Sequence, residues 1–170
     1  MHTNMTIIFS NLYLDLFAVH NVGYPAAIGA VSVINHYYGR DNIKLGAFKG
    51  EFGKSISGKY WSFITKYTQR LTGVYIDDLV NNFDSPVKHY DQVSDALTVL
   101  RETLSEAEDN SVVIVSLGFL HNIAQLLKSP ADDVSSLTGM ELVRRKVRLL
   151  ALLLQNHNEL SNCHRFCPCI

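Results

Sequence analysis

The sequence predicts an α/β fold, a doubly wound and mainly parallel sheet with helices on both faces. Three observations predict it. Strand-like and helix-like segments alternate along the chain, as in layered α/β domains. Residues 111–117, SVVIVSL, are rich in β-branched residues and apolar on both faces, which suits a central strand covered from two sides. Between such strands, apolar residues recur at helical spacing.

Taken in order, residues 12–19 alternate, with Leu12, Leu14, Leu16 and Ala18 on one face, and are predicted as a strand. Pro25 suits the first turn of a helix, where its missing N–H costs nothing. Ile28, Val31, Ile34 and Tyr38 then form a helical stripe that Gly39 terminates. Residues 43–47 are a short predicted strand. Gly50, Gly53 and Gly58 mark a loop, residues 59–71 a helix carrying Tyr60, Phe63, Ile64 and Tyr67, and residues 81–90 a second loop. Asp91 is the expected N-cap of a helix whose stripe is Val93, Ala96, Leu97, Leu100 and Leu104, with Asp109 and Asn110 as its stop. After the strand at 111–117, Leu120, Ile123, Leu126 and Leu127 mark a helix closed near Pro130. A last helix begins around Thr138. Residues 147–154 are so apolar that helix and buried strand remain equally open.

A chain of 170 residues is long enough for one domain with a sizeable core. Residues 1–156 are assigned to it, and residues 157–170 to a cysteine-rich, disordered tail. With 15 basic against 16 acidic residues there is no excess charge for a nucleic-acid groove or a polybasic membrane patch. No apolar run reaches the roughly 18–20 residues of a membrane span, and the N-terminus lacks the basic start of a secretory signal. A cytoplasmic location is the default expectation. Cys163, Cys167 and Cys169 all lie in the last eight residues, so the body does not depend on a disulfide framework.

Two segments carry a resemblance. Residues 111–127, SVVIVSLGFLHNIAQLL, resemble the strand, Gly-x-Leu-Thr-Asn-like turn and helix of the inosine/uridine-preferring nucleoside hydrolases. Residues 18–46, AVHNVGYPAAIGAVSVINHYYGRDNIKLG, resemble the strand, substrate loop, helix and next strand of the same family, and GMELVRRKV follows at a fitting distance. The resemblance implies hydrolysis of the N-glycosidic bond of ribonucleosides. It also implies a calcium ion held by aspartates and by one backbone carbonyl, binding a water molecule and the ribose diol. Carried over residue by residue, it matches the Leu117 carbonyl to the calcium-binding carbonyl and Asn21 to a ribose-binding asparagine, with His20 one position away. Asn122 keeps the asparagine of the turn, read as structural, and His121 replaces its threonine, read as a partly exposed group at a helix start.

The departures are equally specific. The family's Asp-x-Asp-x-x-x-Asp-Asp-type cluster belongs well before Leu12, where only eleven residues stand and none is acidic. The pairs Asp77-Asp78 and Asp132-Asp133 are read as solvated loop or cap acids. Beyond Val147 the chain has Ala151-Leu152-Leu153-Leu154-Gln155 in place of the family's Met-Gly-Gly-type strand end, and the late ribose-binding and calcium-binding residues and the late histidine have no counterpart. The expectation is therefore an incomplete member with no catalytic residue assigned. Calcium is expected to be absent from this chain, and a ribonucleoside is the expected ligand. The alternative is a non-catalytic binding or interaction protein on the same half-fold, forming a homo-oligomer through its exposed core. A third reading places zinc on the cysteine tail, where adjacent Cys163 and His164 would chelate awkwardly.

Overall fold

The computed structural model describes residues 5–10, 17–20, 26–49, 73–117 and 120–153. It is a mixed α/β fold with a six-stranded sheet. The strands are β1 (Met5–Ser10), β2 (Phe17–His20), β3 (Leu45–Ala47), β4 (Ser94–Asp95), β5 (Val112–Leu117) and β6 (Val147–Leu153). The helices are α1 (Ala27–Tyr37), α2 (Gly73–Asn82), α3 (Ala96–Glu106), α4 (His121–Lys128) and α5 (Gly139–Lys146), and a 3-10 turn spans Tyr90–Gln92. The spatial order is β4-β3-β2-β1-β5-β6. Pairings β2–β3, β3–β4 and β5–β6 are parallel, whereas β1 is antiparallel to both β2 and β5. A polar and apolar run at the extreme N-terminus, MTIIFS, thus supplies a central strand that sequence patterning had not marked.

Of the predicted strand at 12–19, residues 17–20 are described, and they form β2 one residue beyond the expected end. Residues 59–71 and the tail at 157–170 lie outside the described residues. The apolar run after α5 is a strand rather than a helix, pairing in parallel with β5 from Val112↔Val147 to Leu117↔Leu153. The pairing supplies the answer that periodicity could not, because β5 offers a hydrogen-bond ladder along one edge of this leucine-rich segment. Asp95, not Asp91, stands at the N-cap position of α3, and Asp91 belongs to the 3-10 turn before it.

The core divides into two clusters. Ala96, Leu100 and Leu104 of α3 pack with Val112 and Ile114 of β5, Ile123 and Leu126 of α4, and Leu142 of α5. Alternation along β5 buries Val112, Ile114 and Ser116 on that side. The second cluster joins Ala27 and Ala30 of α1 to Ile76 of α2. Here the predicted stripe of α1 is corrected. Ile28 is buried, but Ile34 is 49% and Tyr38 71% exposed, and the face turned inward carries Ala27, Ala30 and Val33. Small side chains let α2 approach closely, so the larger residues of α1 fall outside the contact.

Local signals explain the helix ends. Gly39 takes φ +66°, its N–H donates to the His36 carbonyl, and the Arg40 N–H donates to the Asn35 carbonyl at 2.8 Å. This is the paired-bond stop in which a left-handed residue closes the orphan carbonyls of the last turn. Thr138 and Glu141 cap α5 reciprocally. Thr138 Oγ1 accepts from the Glu141 N–H at 3.3 Å, and the Thr138 N–H donates to Glu141 Oε2 at 2.8 Å.

Candidate functional site

Reading the pairing register across the sheet places one row of residues along a single edge. Asp95 pairs with Ala47, Ala47 with His20, His20 with Met5, Met5 with Leu117, and Leu117 with Leu153. Each of these except Met5 ends a strand, and Met5 joins them because β1 runs the other way. The chain moves outward from β2 through β3 to β4, then returns to β5 on the far side of β1 and moves outward again to β6. The strand order therefore reverses across β1. In open α/β sheets, ligands bind beyond the carboxyl ends of the strands at such a reversal, where the diverging connections leave a crevice.

His20 and Leu117 flank that point, and with two interstrand steps between them their backbones stand roughly 10 Å apart. Asn21 and Gly118 lie outside the described residues, so the structure brings the backbone positions preceding them to one edge and describes neither. Leu117 is half-buried at the strand end.

The helix that follows β5 closes one side. The His121 ring, at the start of α4, meets the Phe48 ring beyond β3, centroids 6.3 Å apart, although β3 and β5 are separated by two strands. Phe48 is 8% exposed. Sequence reading placed His121 as a partly exposed helix-start residue, and it is half-buried against this aromatic partner. Leu120 occupies the N-cap of α4 without a side-chain cap, leaving the first N–H groups of the helix without that usual acceptor. Asn122 is buried to 1% exposure, and neither atom of its amide has a hydrogen-bond partner among the described residues. The same is true of Ser116 Oγ, one residue before the strand end. These unmatched polar groups lie on both sides of the β5–α4 turn. Unpaired buried amides and hydroxyls cost enough to be uncommon.

On the other side of the row, Asp95 Oδ1 accepts from the Lys49 N–H at 3.1 Å, holding the end of β4 to the segment after β3. Lys49 Nζ donates to the Tyr90 carbonyl and lies 4.9 Å from the centre of the Tyr90 ring. Asp95 thus brings a carboxylate to the row, and one of its oxygens is committed to the backbone.

Among the described residues, the donors do not fit a calcium site. The ion takes six to eight oxygens, with carboxylates to balance its charge. Among the described residues no group of three or more His, Cys, Asp or Glu is placed to hold a metal. The two acid pairs noted in the sequence lie elsewhere. Asp77 and Asp78 belong to α2, while Asp132 and Asp133 follow the far end of α4. Asp132 is not merely a solvated acid. Arg101, 1% exposed, donates from Nη2 to Asp132 Oδ1 at 2.8 Å and from Nη1 to Ser129 Oγ at 2.8 Å. Its Nη2 also reaches the Ser135 and Leu137 carbonyls. Nε approaches Asp132 Oδ2 at 2.7 Å, an ion-pair contact too bent to count as a hydrogen bond. The guanidinium holds the Asp132 carboxyl below its ordinary range. Asp109, bonded to Lys146 and Arg145, and Glu141, bonded to Thr138, are likewise held low. These carboxylates organise loops and helix ends. Arg101 was missed because an arginine inside a helical stripe reads as surface, and its loop partners are about thirty residues distant, Asp132 at a separation of 31.

Protein-family models, curated proteins and solved structures were all compared with this chain, and none matches it. The class that fold and geometry define is a mixed α/β protein whose candidate site is the strand-end row at the reversal of the sheet.

Proposed function

We propose that this is a nucleoside hydrolase-like protein, built as a doubly wound half-fold, that binds a ribonucleoside at the strand-end row and does not hydrolyse it efficiently. The observation that carries the reading is the register that sets His20 and Leu117 on either side of Met5. The resemblance requires the loops after residues 18–20 and 111–117 to share one crevice, and a register that brings residues 20 and 117 to one end of the sheet supports it. Two separate helix clusters, α1 with α2 and α3 with α4 and α5, support helices on both faces. By the resemblance, the groups that meet a ribose are the Leu117 carbonyl and the side-chain amide of Asn21. A ribose diol both donates and accepts, and an amide that does both is its natural complement.

The test is a titration of the full isotope-labelled chain with inosine and with uridine, followed by backbone amide shifts. Saturable shifts at Ala47, Leu117 and His121, absent with the free base, are expected. An unchanged spectrum at millimolar nucleoside would overturn the reading. So would shifts confined to residues away from the row.

A further inference from the structure

The sheet ends in two unlike edges. β4, at one side, is two residues long, and its Asp95 accepts from the Lys49 N–H. Short and charged edges are among the devices that keep a strand from pairing with another chain. β6, at the other side, has seven residues, and among the described residues it pairs with β5 alone.

The start of β6 is guarded. Val112 pairs with Val147 and Val113 with Leu149, so Arg148 is an extra residue in the ladder. Such a bulge bends the edge, here at the position of an exposed charge. Beyond it the register is regular from Leu149 to Leu153. That stretch, LLALL, holds no charge, proline or glycine. Leu150 packs against the core cluster, whereas Leu149, on the opposite face, is 55% exposed. An uncharged, apolar edge of this kind is a template for another strand.

The residue order of the stretch selects that strand, because LLALL reads the same in both directions. Antiparallel pairing with a second copy, centred on Ala151, sets Leu149 opposite Leu153 and Leu150 opposite Leu152. Ala151 then stands opposite its own counterpart. The two Arg148 residues fall outside the paired stretch, one at each end, so no like charges face each other. Pairing of β6 with β4 of another copy would engage only two residues of β4 and would leave an open end. The twofold contact closes on itself.

We propose that β6 is a dimer interface, in which residues 149–153 of two copies pair antiparallel about a twofold axis at Ala151. Two six-stranded sheets then become one continuous sheet. The interface forms whatever the strand-end row binds.

The experiment uses the full chain, kept reduced so that Cys163, Cys167 and Cys169 cannot cross-link. Sedimentation and backbone amide exchange are followed from low micromolar to near-millimolar concentration. A monomer–dimer equilibrium is expected, with amides among residues 149–153 gaining protection as the dimer forms. Ala151→Lys and Ala151→Glu, each alone, bring like charges together on the axis and should weaken dimerisation by at least about tenfold. An equimolar mixture of the two should dimerise again, because opposite charges then meet. Leu149→Lys, at the exposed position, should weaken the dimer as well and serves if the Ala151 variants do not fold. A monomer across the whole range would overturn the interface. So would a dimer that persists in Leu149→Lys, or one that forms without added protection at residues 149–153. A mixture that stays monomeric would overturn the register centred on Ala151.

Discussion

His20 and Leu117 pair with the same residue, Met5, from opposite sides. Within the sheet, the two strands that bear the candidate site are thus joined through β1. Residues 5–8 pair with β2 and residues 5–10 with β5, so both sides of β1 depend on its backbone N–H and C=O groups.

A proline placed in β1 should therefore unfasten the sheet. Ile7 pairs with Ala18 on one side and Val115 on the other. Ile7→Pro removes a donor and fixes φ in a strand with neighbours on both flanks, where proline is essentially excluded. The expected loss is about 3 kcal/mol or more, read from urea unfolding. An unchanged midpoint would show that β1 does not stand between β2 and β5.

Arg101 makes a second prediction. It ties α3 to the loop between α4 and α5 through Ser129, Asp132, Ser135 and Leu137. Arg101→Met keeps much of the volume and removes these bonds, and should cost about 2–4 kcal/mol. The pH dependence has a definite sign. Asp132, Asp109 and Glu141 have folded-state pKa values below their ordinary ones of 3.8, 3.8 and 4.5. The unfolded chain therefore binds protons first on acidification, so the stabilisation is present above those ordinary values and is lost as pH falls through the folded ones. The melting temperature should fall below about pH 4, and Asp132→Asn should flatten that fall. An equally steep fall in Asp132→Asn would remove Asp132 from the account.

Gly139 gives the third. It begins α5 where that helix crosses the end of α4, and its N–H donates to the Ser129 carbonyl at 3.0 Å. A Cβ added there would overlap the Leu126 carbonyl oxygen and Ser129 Oγ. Because the obstacle is backbone, the helix itself must move, and Gly139→Ala should cost at least the roughly 1–3 kcal/mol of ordinary overpacking. A melting temperature equal to that of the parent chain would mean that the crossing is looser than described. Thr138→Ala, one residue earlier, should cost only about 1 kcal/mol, because it removes a cap and leaves the crossing in place.

These cases show which parts of the fold were legible. The strand at 111–117 and the stripe Ala96, Leu100 and Leu104 were readable because each pattern is set by one element facing one core. Gly39 and Thr138 were readable because a cap is written in a few adjacent residues. The inward face of α1 was not, because Ala27 and Ala30 are buried by the approach of α2, a distant helix that was itself unmarked. Tyr75, Ile76, Leu79 and Val80 carry its signal at helical spacing. Strand β1 was missed for a related reason, since a central place in the sheet depends on pairings that its own short sequence does not encode. The candidate row is a consequence of register, and only its two halves, around residues 20 and 117, could be named beforehand.

The last prediction is that the chain will not hydrolyse nucleosides at an ordinary enzymatic rate. The groups proposed to meet a ribose, the Leu117 carbonyl and the Asn21 amide, can orient a sugar without generating a nucleophile. Cleaving an N-glycosidic bond needs an activated water, charge beside the oxocarbenium-like sugar and a proton or equivalent stabilisation for the departing base. Each demands an ionisable group at the edge. Asp95 is the carboxylate in the row, and Lys49 draws on one of its oxygens. His121 stands against Phe48 and is the imidazole whose side chain is described there. A single general acid contributes about 10²–10⁴ in rate, well short of what the uncatalysed reaction requires to reach about 1 s⁻¹. The measurement uses the full chain with inosine, uridine and a nitrophenyl riboside, with and without calcium. Turnover indistinguishable from buffer is expected in both conditions, including at nucleoside concentrations that saturate the amide shifts. Calcium-dependent turnover above about 1 s⁻¹ would instead require carboxylates brought to the Leu117 carbonyl from parts of the chain outside the described residues. His121→Ala and Asp95→Asn would then show whether either described group takes part, because a participating acid or base would change the pH profile as well as the rate.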